Sequence, residues 1–543
     1  MINILIYELN FAYVYKIVIK QSNLKYIITE LNNQGVEMVF EPNFTKVVSS
    51  VRKNIGTTQS VIEFKLPTNE NNITKIFSVG AKSVIVGSEA VGKEVSFMGL
   101  VDFQAVYEGD NVSAVDYTAE FKDKLVSDEA VNGELILISN VVDVNSSIVS
   151  GGINVVAVVE VSVEQIVNKE VSVLTSVNGD DAHIATNEIT YSTFLGKAYE
   201  KFDINEEVIV ERANNVLMVT PCVSLYSVEP KDNYIAISGR LELDINYQTG
   251  EESYGISTVN REIEFSWEVA YSGVEDTSCV QSVIGVLTNE IKISTLIEDG
   301  NAKMNVFIPI MYTGYVFVEN KLNVIEDLYL EKNYLSITCE NFQTINCSKS
   351  ICFKDNISGT AIINDSSPFI DEVLSVCPNN VMIASARVED ERLSVEGVAN
   401  TSVLYYTKET DEITAVQVDM PFSVEQKIDG ENGCVVSVCL SGLSARSKRG
   451  KEIEVSAGLS LYVDVYSQNS CCVISDTVLG EEKPQEDCSL YIYVVKEGQT
   501  IWDVAKDTSM SQEIILEQNP NIELPIKAGN KLVVYKSCGI KFE

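Results

Sequence analysis

The sequence predicts a mainly β fold: three tandem antiparallel β-sandwich-like repeats followed by a small βααβ domain. Alternation is the first observation behind this. Ile453, Val455, Ala457, Leu459, Leu461, Val463 and Val465 fall on one side of an extended chain, while Glu452, Glu454, Ser456, Ser460 and Asp464 fall on the other. That is the period of two a half-buried strand requires. Repetition is the second observation. A Val–Gly–Tyr–Phe order recurs three times, with the glycine eight residues ahead of the tyrosine each time. The third is a break in pattern: the last fifty or so residues change to two short helix-like stretches between two strands.

Taken in order, residues 1–37 lie outside the repeats. MINILIYELN opens like a signal peptide, but Glu8 interrupts the apolar part, the lysines follow it and no small-residue cleavage site comes after. The protein is expected to stay inside its cell. The first repeat is expected over 38–175. Ile76-Phe77-Ser78-Val79 leads to Gly99, Tyr107 and Phe121, and Val155, Ala157, Val159, Val161 and Val163 form a closing strand. In the second, over 200–330, Val216-Leu217-Met218-Val219 leads to Gly239, Tyr247 and Phe265, closing with Met304, Val306, Ile308, Ile310 and Tyr312. The third, over 350–479, runs from Val373-Leu374-Ser375-Val376 to Gly397, Tyr405 and Phe422.

The spacing from the last valine of each run to the glycine is 20, 20 and 21 residues. Turn residues at Gly151-Gly152, Asp299-Gly300-Asn301 and Gly433 separate the runs, as antiparallel structure needs. Units of about 140 residues have room for two sheets face to face. The shared glycine should mark a bulge or a close backbone approach. The tyrosine, an even number of residues later, should be a core aromatic on the same face. Residues 480–488, acidic and without an apolar side chain through Asp487, read as a charged linker to a final domain at 489–538.

Composition narrows the function. With 78 acidic against 40 basic residues the net charge is −38, which repels phosphate backbones and anionic lipid and argues against nucleic-acid partners. No apolar run nears the roughly eighteen residues of a membrane-spanning helix, so no membrane insertion is expected. The 12 cysteines include no C-x-x-C pair, and His183 is the one histidine. Reduced, mostly buried thiols, no metal and no cofactor are the expectation.

Two motifs invite chemistry. Gly87-Ser88-Glu89-Ala90-Val91-Gly92-Lys93 fits G-x-x-x-x-G-K, but a phosphate loop needs Ser or Thr next and a helix after it. Glu94 stands there, followed by strand-like Val95-Ser96-Phe97, so a hairpin is expected. His183 beside Asp180 and Asp181 could pair as acid and base, yet Asn178-Gly179-Asp180-Asp181 reads as a loop, where a solvated histidine is expected. No catalytic residues are assigned, and the chain is expected not to be an enzyme.

The final domain has more specific signals. A strand at Tyr491–Lys496 enters a Glu-Gly-Gln turn, and Thr500 stands three residues before Asp503, the spacing of a capping box. Ser509 and Gln512 repeat that spacing before Ile514, Ile515 and Leu516. Pro520 ends the second helix, and Lys531–Tyr535 closes the order β-α-α-β. Tyr493-Val494-Val495, Gly498-Gln499-Thr500-Ile501-Trp502, Val504-Ala505, Leu516, Asn519-Pro520 and Ile526-Lys527-Ala528-Gly529 closely resemble the LysM family. Gln499 replaces the usual Asp, Asn530 stands where family members often have Gln, and Asp507-Thr508-Ser509-Met510 replaces an aromatic-Gly turn. The resemblance implies a binder of N-acetylglucosamine polymers (peptidoglycan) or of protein. Its ligand groove would lie between Gly498, Gln499, Thr500 and Ile501 on one loop and Ile526, Lys527, Ala528 and Gly529 on the other. Trp502 is expected in the core rather than as a sugar platform.

Three such β units ahead of one LysM resemble the SipL-type spore coat morphogenetic proteins, whose repeats are called SPOCS domains, over roughly Met38 to Lys536. That resemblance implies a scaffold in the mother-cell cytoplasm at the forespore surface. Because such chains tend to begin near the position of Met38-Val39-Phe40-Glu41, it also implies Met38 as the true start and 1–37 as a non-native extension. Its implied partners are the basement-layer coat ATPase, docked through the LysM, and other coat proteins. Direct glycan binding in the wall or cortex is the alternative. A wall hydrolase with a LysM arm is a weaker third.

Overall fold

The alternating runs become strands, and strand makes up 79% of the computed structural model, which describes residues 40–68, 72–249, 255–298, 301–364, 367–428, 430, 432–484 and 489–536. The first unit contains β1 (Glu41–Leu66), β2 (Lys75–Val91), β3 (Glu94–Glu108), β4 (Val112–Val126), β5 (Glu134–Val149) and β6 (Gly152–Asn178). The second contains β7 (Ala182–Glu211), β8 (Ala213–Lys231), β9 (Tyr234–Thr249), β10 (Ile256–Ala270), β11 (Cys279–Val286), β12 (Lys292–Glu298) and β13 (Asn301–Leu330). The third contains β14 (Asn333–Ile362), β15 (Glu372–Glu389), β16 (Arg392–Thr407), β17 (Glu412–Lys427), β18 (Gly433–Lys448) and β19 (Glu452–Glu482).

Each unit is two small antiparallel sheets. In the first, β1-β6-β5 faces β2-β3-β4; β14-β19-β18 faces β15-β16-β17 in the third. In the second, β13 lies between β7 and the split pair β11 and β12, and faces β8-β9-β10. The alternating residues fill the space between sheets: Val155 to Val163, Met304 to Tyr312 and Ile453 to Val465 are all buried at every second position. Burial of one face is what fixes the register, because a slip by one residue would turn every valine to water.

The shared glycine is a packing device. Gly99, Gly239 and Gly397 lie directly across from Phe121, Phe265 and Phe422 on the next strand. A Cβ added at these positions would sit 2.4, 2.4 and 2.3 Å from the phenylalanine ring. Only glycine leaves room for the ring to lie over the strand. On the other flank the neighbouring strand bulges just past the glycine's partner, between Ile85 and Gly87, Leu225 and Ser227, and Ile383 and Ser385. Bulge and close approach therefore occur together. Tyr107 and Tyr405 are buried, and Tyr247 is half-buried against the second core.

The domain boundaries differ from those the motifs suggest. The first strand of each unit pairs with its last along a two-stranded ribbon, and that first strand carries no shared motif. The second unit thus begins at Ala182 instead of 200 and the third at Asn333 instead of 350, while the first runs on to Asn178. Residues 480–482, expected in the linker, belong to β19, where Glu482 faces Asn333. Expectations for 1–37, the Asp299-Gly300 part of a turn and residues 485–488 fall outside the described residues.

The three units close on one another. Thr193 of the second ribbon donates to the Val48 carbonyl of the first at 2.6 Å, Ser49 of the first to Gln343 of the third at 2.8 Å, and Asn346 of the third to Thr190 of the second at 3.4 Å. Beneath these bonds, Val47, Val171 and Val173 meet Ile189, Tyr191 and Val324, together with Phe342 and Val473, in one apolar cluster. Arg52 touches all three units: its guanidinium pairs with Glu164, donates to Gln281 Oε1 at 3.1 Å and lies 5.1 Å from the centre of the Tyr466 ring. Cys222 and Cys439 form a disulfide between the second and third units, with Cα atoms 5.8 Å apart. Contrary to the expectation of reduced, buried thiols, this pair is bonded and Cys339, Cys352, Cys471 and Cys472 are exposed. Sequence separation hid the pair, since its members are 217 positions apart.

Gly87–Lys93 is a hairpin, with β2 running to Val91, a turn at Gly92 and Lys93, and β3 starting at Glu94. The loop expected at His183 is corrected: the histidine lies on β7, its Nε2 2.8 Å from Glu331 Oε1 and its ring stacked on Tyr329 at 4.9 Å. β7 starts at Ala182, directly after Asp181, because its pairing with β13 continues to the last residue of that strand, Leu330.

Candidate functional site: the C-terminal domain and its seat

The last element pair, β20 (Ser489–Val494) and β21 (Lys531–Lys536), encloses helices α1 (Ile501–Thr508) and α2 (Gln512–Gln518). The capping box forms as the spacing predicts. The Thr500 hydroxyl accepts from the Asp503 amide, and the Asp503 carboxylate accepts from the Thr500 amide at 2.7 Å, which holds that carboxyl below its usual range. The second cap is corrected. Ser511, not Ser509, accepts from the Ile514 amide at 3.2 Å, while Ser509 takes a left-handed φ of 51° and closes the first helix. Two helices this close leave Ser509 no room to begin one while ending another. Val495, Val504, Ala505, Met510, Ile515, Ile526, Leu532 and Val534 form the core.

The two expected groove loops are brought side by side. The Gly529 amide donates to the Val495 carbonyl at 2.8 Å, and the Val495 amide donates to Asn530 at 3.0 Å. Gly498, Thr500, Lys527, Ala528 and Gly529 are exposed along this rim, and Ile501 is half-buried. Gly498 and Gly529 hold φ of 80° and 84°, a conformation that costs glycine nothing. Gln499 is engaged within the domain: the Lys496 amide donates to its Oε1 at 3.0 Å, and its Nε2 donates to Asp507 Oδ2 at 3.0 Å. Ile526 is buried in the core, so it offers the groove only backbone.

Trp502 departs from the expectation that it is a core residue of its own domain. It is half-buried against the second unit, where its indole N–H donates to Asp327 Oδ2 at 2.8 Å and its ring meets Tyr329 edge-on at 5.1 Å. Lys506, one helical turn on, places its ammonium 2.6 Å from the same carboxylate. The Tyr329 hydroxyl donates to the Met510 carbonyl at 2.7 Å, and burial followed by the Glu331 and Glu513 charges pushes that phenol up. Lys483 donates to the Leu330 carbonyl and to the Ser509 hydroxyl, each at 2.7 Å. The domain is therefore seated on the end of the second ribbon, not held away on a tether. Asp327 and Tyr329 gave no sequence signal, since in Glu326-Asp327-Leu328-Tyr329 they read as ordinary strand.

Asp327→Ala is expected to weaken this seat by about 1–3 kcal/mol, discounted for its partial exposure, without unfolding the domain, whose core it does not enter. Small-angle scattering should show a longer particle and Trp502 emission should move to the red. An unchanged profile with unchanged emission would show that the seat does not depend on this carboxylate.

The LysM domain family model matches residues 493–534. No curated protein and no solved structure matches the chain. The chain thus carries a C-terminal LysM domain after a large, mainly β region of several small antiparallel sheets. A LysM domain suggests binding of peptidoglycan or of proteins.

Proposed function

We propose that this chain is a non-enzymatic assembly scaffold whose LysM domain docks a protein. By the repeat-and-LysM resemblance, that protein is the basement-layer coat ATPase at the forespore surface in the mother-cell cytoplasm. The observation that carries the protein reading is the outer face of the β20–β21 pair. Leu490, Ile492 and Val494 are 70%, 63% and 53% exposed, and Val533 and Tyr535 across from them are 44% and 47% exposed. Five apolar side chains on one small sheet face form a patch that a protein surface covers and a hydrated sugar does not. The seat on the second ribbon uses the opposite, helical side and leaves this face clear. The β body, closed into one piece, would present the domain in a fixed orientation and offer its own surfaces to other coat proteins.

Glycan binding is the second reading, and the open rim at Gly498, Thr500, Lys527, Ala528 and Gly529 supports it. Capture assays with the full chain separate the two. The wild type should retain the purified coat ATPase, and Ile492→Arg should lower that retention at least tenfold while leaving the far-ultraviolet spectrum unchanged. If Ile492→Arg captures the ATPase as well as the wild type, the sheet face is not the docking surface. If the wild type binds purified peptidoglycan and not the ATPase, the scaffold reading falls to the glycan one.

A further inference from the structure

The third ribbon carries four free, exposed thiols where thiols are seldom found, and three of them lie together, ten or more residues along the ladder from Cys352. Cysteine is ordinarily among the most buried residue types, yet Cys339, Cys471 and Cys472 are free and exposed on the β14–β19 ribbon. The register sets Asn341 opposite Cys472, Phe342 opposite Cys471 and Cys339 opposite Ile474. Cys339 and Cys472 are thus diagonal neighbours, farther apart than the short Cβ separation a disulfide tolerates. Cys471 and Cys472 are adjacent in a strand and point to opposite faces. Three accessible thiols therefore share one ribbon whose geometry keeps them from bonding one another.

Their surroundings differ from the rest of the molecule. In a chain of net charge −38, residues 341–348 and 465–475 contain no charged side chain. Asn341, Gln343, Asn469 and Ser470 are exposed there beside the cysteines. Two copies of so acidic a protein repel each other over most of their surface. Here the nearby charges are Glu340, paired with Lys169 at 2.9 Å, and Glu326 near Cys471, and the uncharged segments between them are a place where identical surfaces can meet. A two-fold arrangement would set the face that carries Cys339 and Cys472 against its counterpart, with Cys471 on the reverse of the same strand.

We infer that Cys339, Cys471 and Cys472 form a covalent self-association site joining two copies of this chain by disulfide. The oxidant class is a low-molecular-weight disulfide. A thiolate of one copy attacks it, forming a mixed disulfide and expelling one small thiolate. A thiolate of the second copy then attacks the protein sulfur of that bond and expels the other. Two protein thiols are oxidised, the small disulfide is reduced to two thiols, and the two protons lost by the protein sulfurs end on them.

The full-length protein, reduced, desalted and treated with oxidised glutathione, provides the test. Light scattering and non-reducing electrophoresis should show a species of about twice 59.9 kDa that dithiothreitol returns to monomer. Peptide mapping of the wild-type product should place the bond between these three cysteines. The triple variant C339S/C471S/C472S should remain monomeric, while C222S/C439S and C352S should dimerise like the wild type. A wild type that yields only glutathione adducts, a triple variant that still dimerises, or a mapped bond through any other cysteine overturns the proposal.

Discussion

Arg52→Ala should cost this protein about 3–5 kcal/mol of stability, the usual penalty for removing one partner of a buried charge pair. Its side chain is 4% exposed, and it serves each of the three units at once. Without it the Glu164 carboxylate and Gln281 Oε1 lose their donor and the Tyr466 ring loses its cation. The Gln281 amide nitrogen already has no partner among the described residues, so the junction has little to reorganise with. Urea unfolding followed by circular dichroism would measure the loss. Arg52→Lys should recover only part of it, because an ammonium cannot reproduce the planar fork that reaches two acceptors. A cost under about 1 kcal/mol would place Arg52 among ordinary surface pairs and remove it from the closure of the three units.

A second large effect concerns pH. Asp464 is 3% exposed; it accepts from the Ser282 amide at 2.7 Å and from the Ser350 hydroxyl at 2.5 Å. Burial outweighs these bonds and pushes its carboxyl from an ordinary 3.8 up to about 6. Between those values the folded protein holds a proton that the unfolded chain has released. Stability is therefore greatest near pH 4 as far as this group is concerned, and falls as pH rises through 6. The expected loss is on the order of 3 kcal/mol over the whole span, and mutual repulsion within a chain of net charge −38 adds to it in the same direction. Asp464→Asn keeps an acceptor for the Ser282 amide and cannot ionise. Its unfolding midpoint should change less than that of the wild type between pH 4.5 and 7, a range of about two pH units around the shifted carboxyl, and should match or exceed it at pH 7. Equal slopes for the two proteins would show that Asp464 does not govern this dependence.

Asp464 marks a limit of what strand pattern can report. Asp464 stands on the polar side of the strand that the alternation marks, and by pattern it belongs in water. It is buried because the second unit covers that side, which a single strand cannot report. By pattern His183 belongs in a loop for a similar reason: the glycine and two aspartates before it look like solvated chain, while pairing with β13 carries the strand right up to them. Trp502 reads as an inward aromatic from its position in the first turn of α1. It does pack, but against Tyr329, a residue 173 positions earlier.

The groove residues divide along the same line. The glycines and turn residues of both loops were legible, since φ above zero and tight reversal are local demands. That Ile526 turns into the core and that Gln499 is engaged by Lys496 and Asp507 depend on neighbours brought in by folding. The outer sheet face was present in the sequence as plain alternation at Leu490, Ile492 and Val494. Alternation gives two faces, and only packing of the helices decided which was left exposed.

The sequence by itself determined the β class, the threefold order of units, the recurring glycine as a site of bulge or close approach, and the βααβ plan of the LysM domain. Each follows from short-range facts: the two-residue period of a strand, the steric reach of a Cβ, the unmet amides at a helix start. Tertiary structure alone decided that the units close on one another around Arg52, that Cys222 meets Cys439, and that the LysM domain sits on Asp327 and Tyr329. Those contacts join residues more than a hundred positions apart, where no local energy term constrains the chain until it has folded.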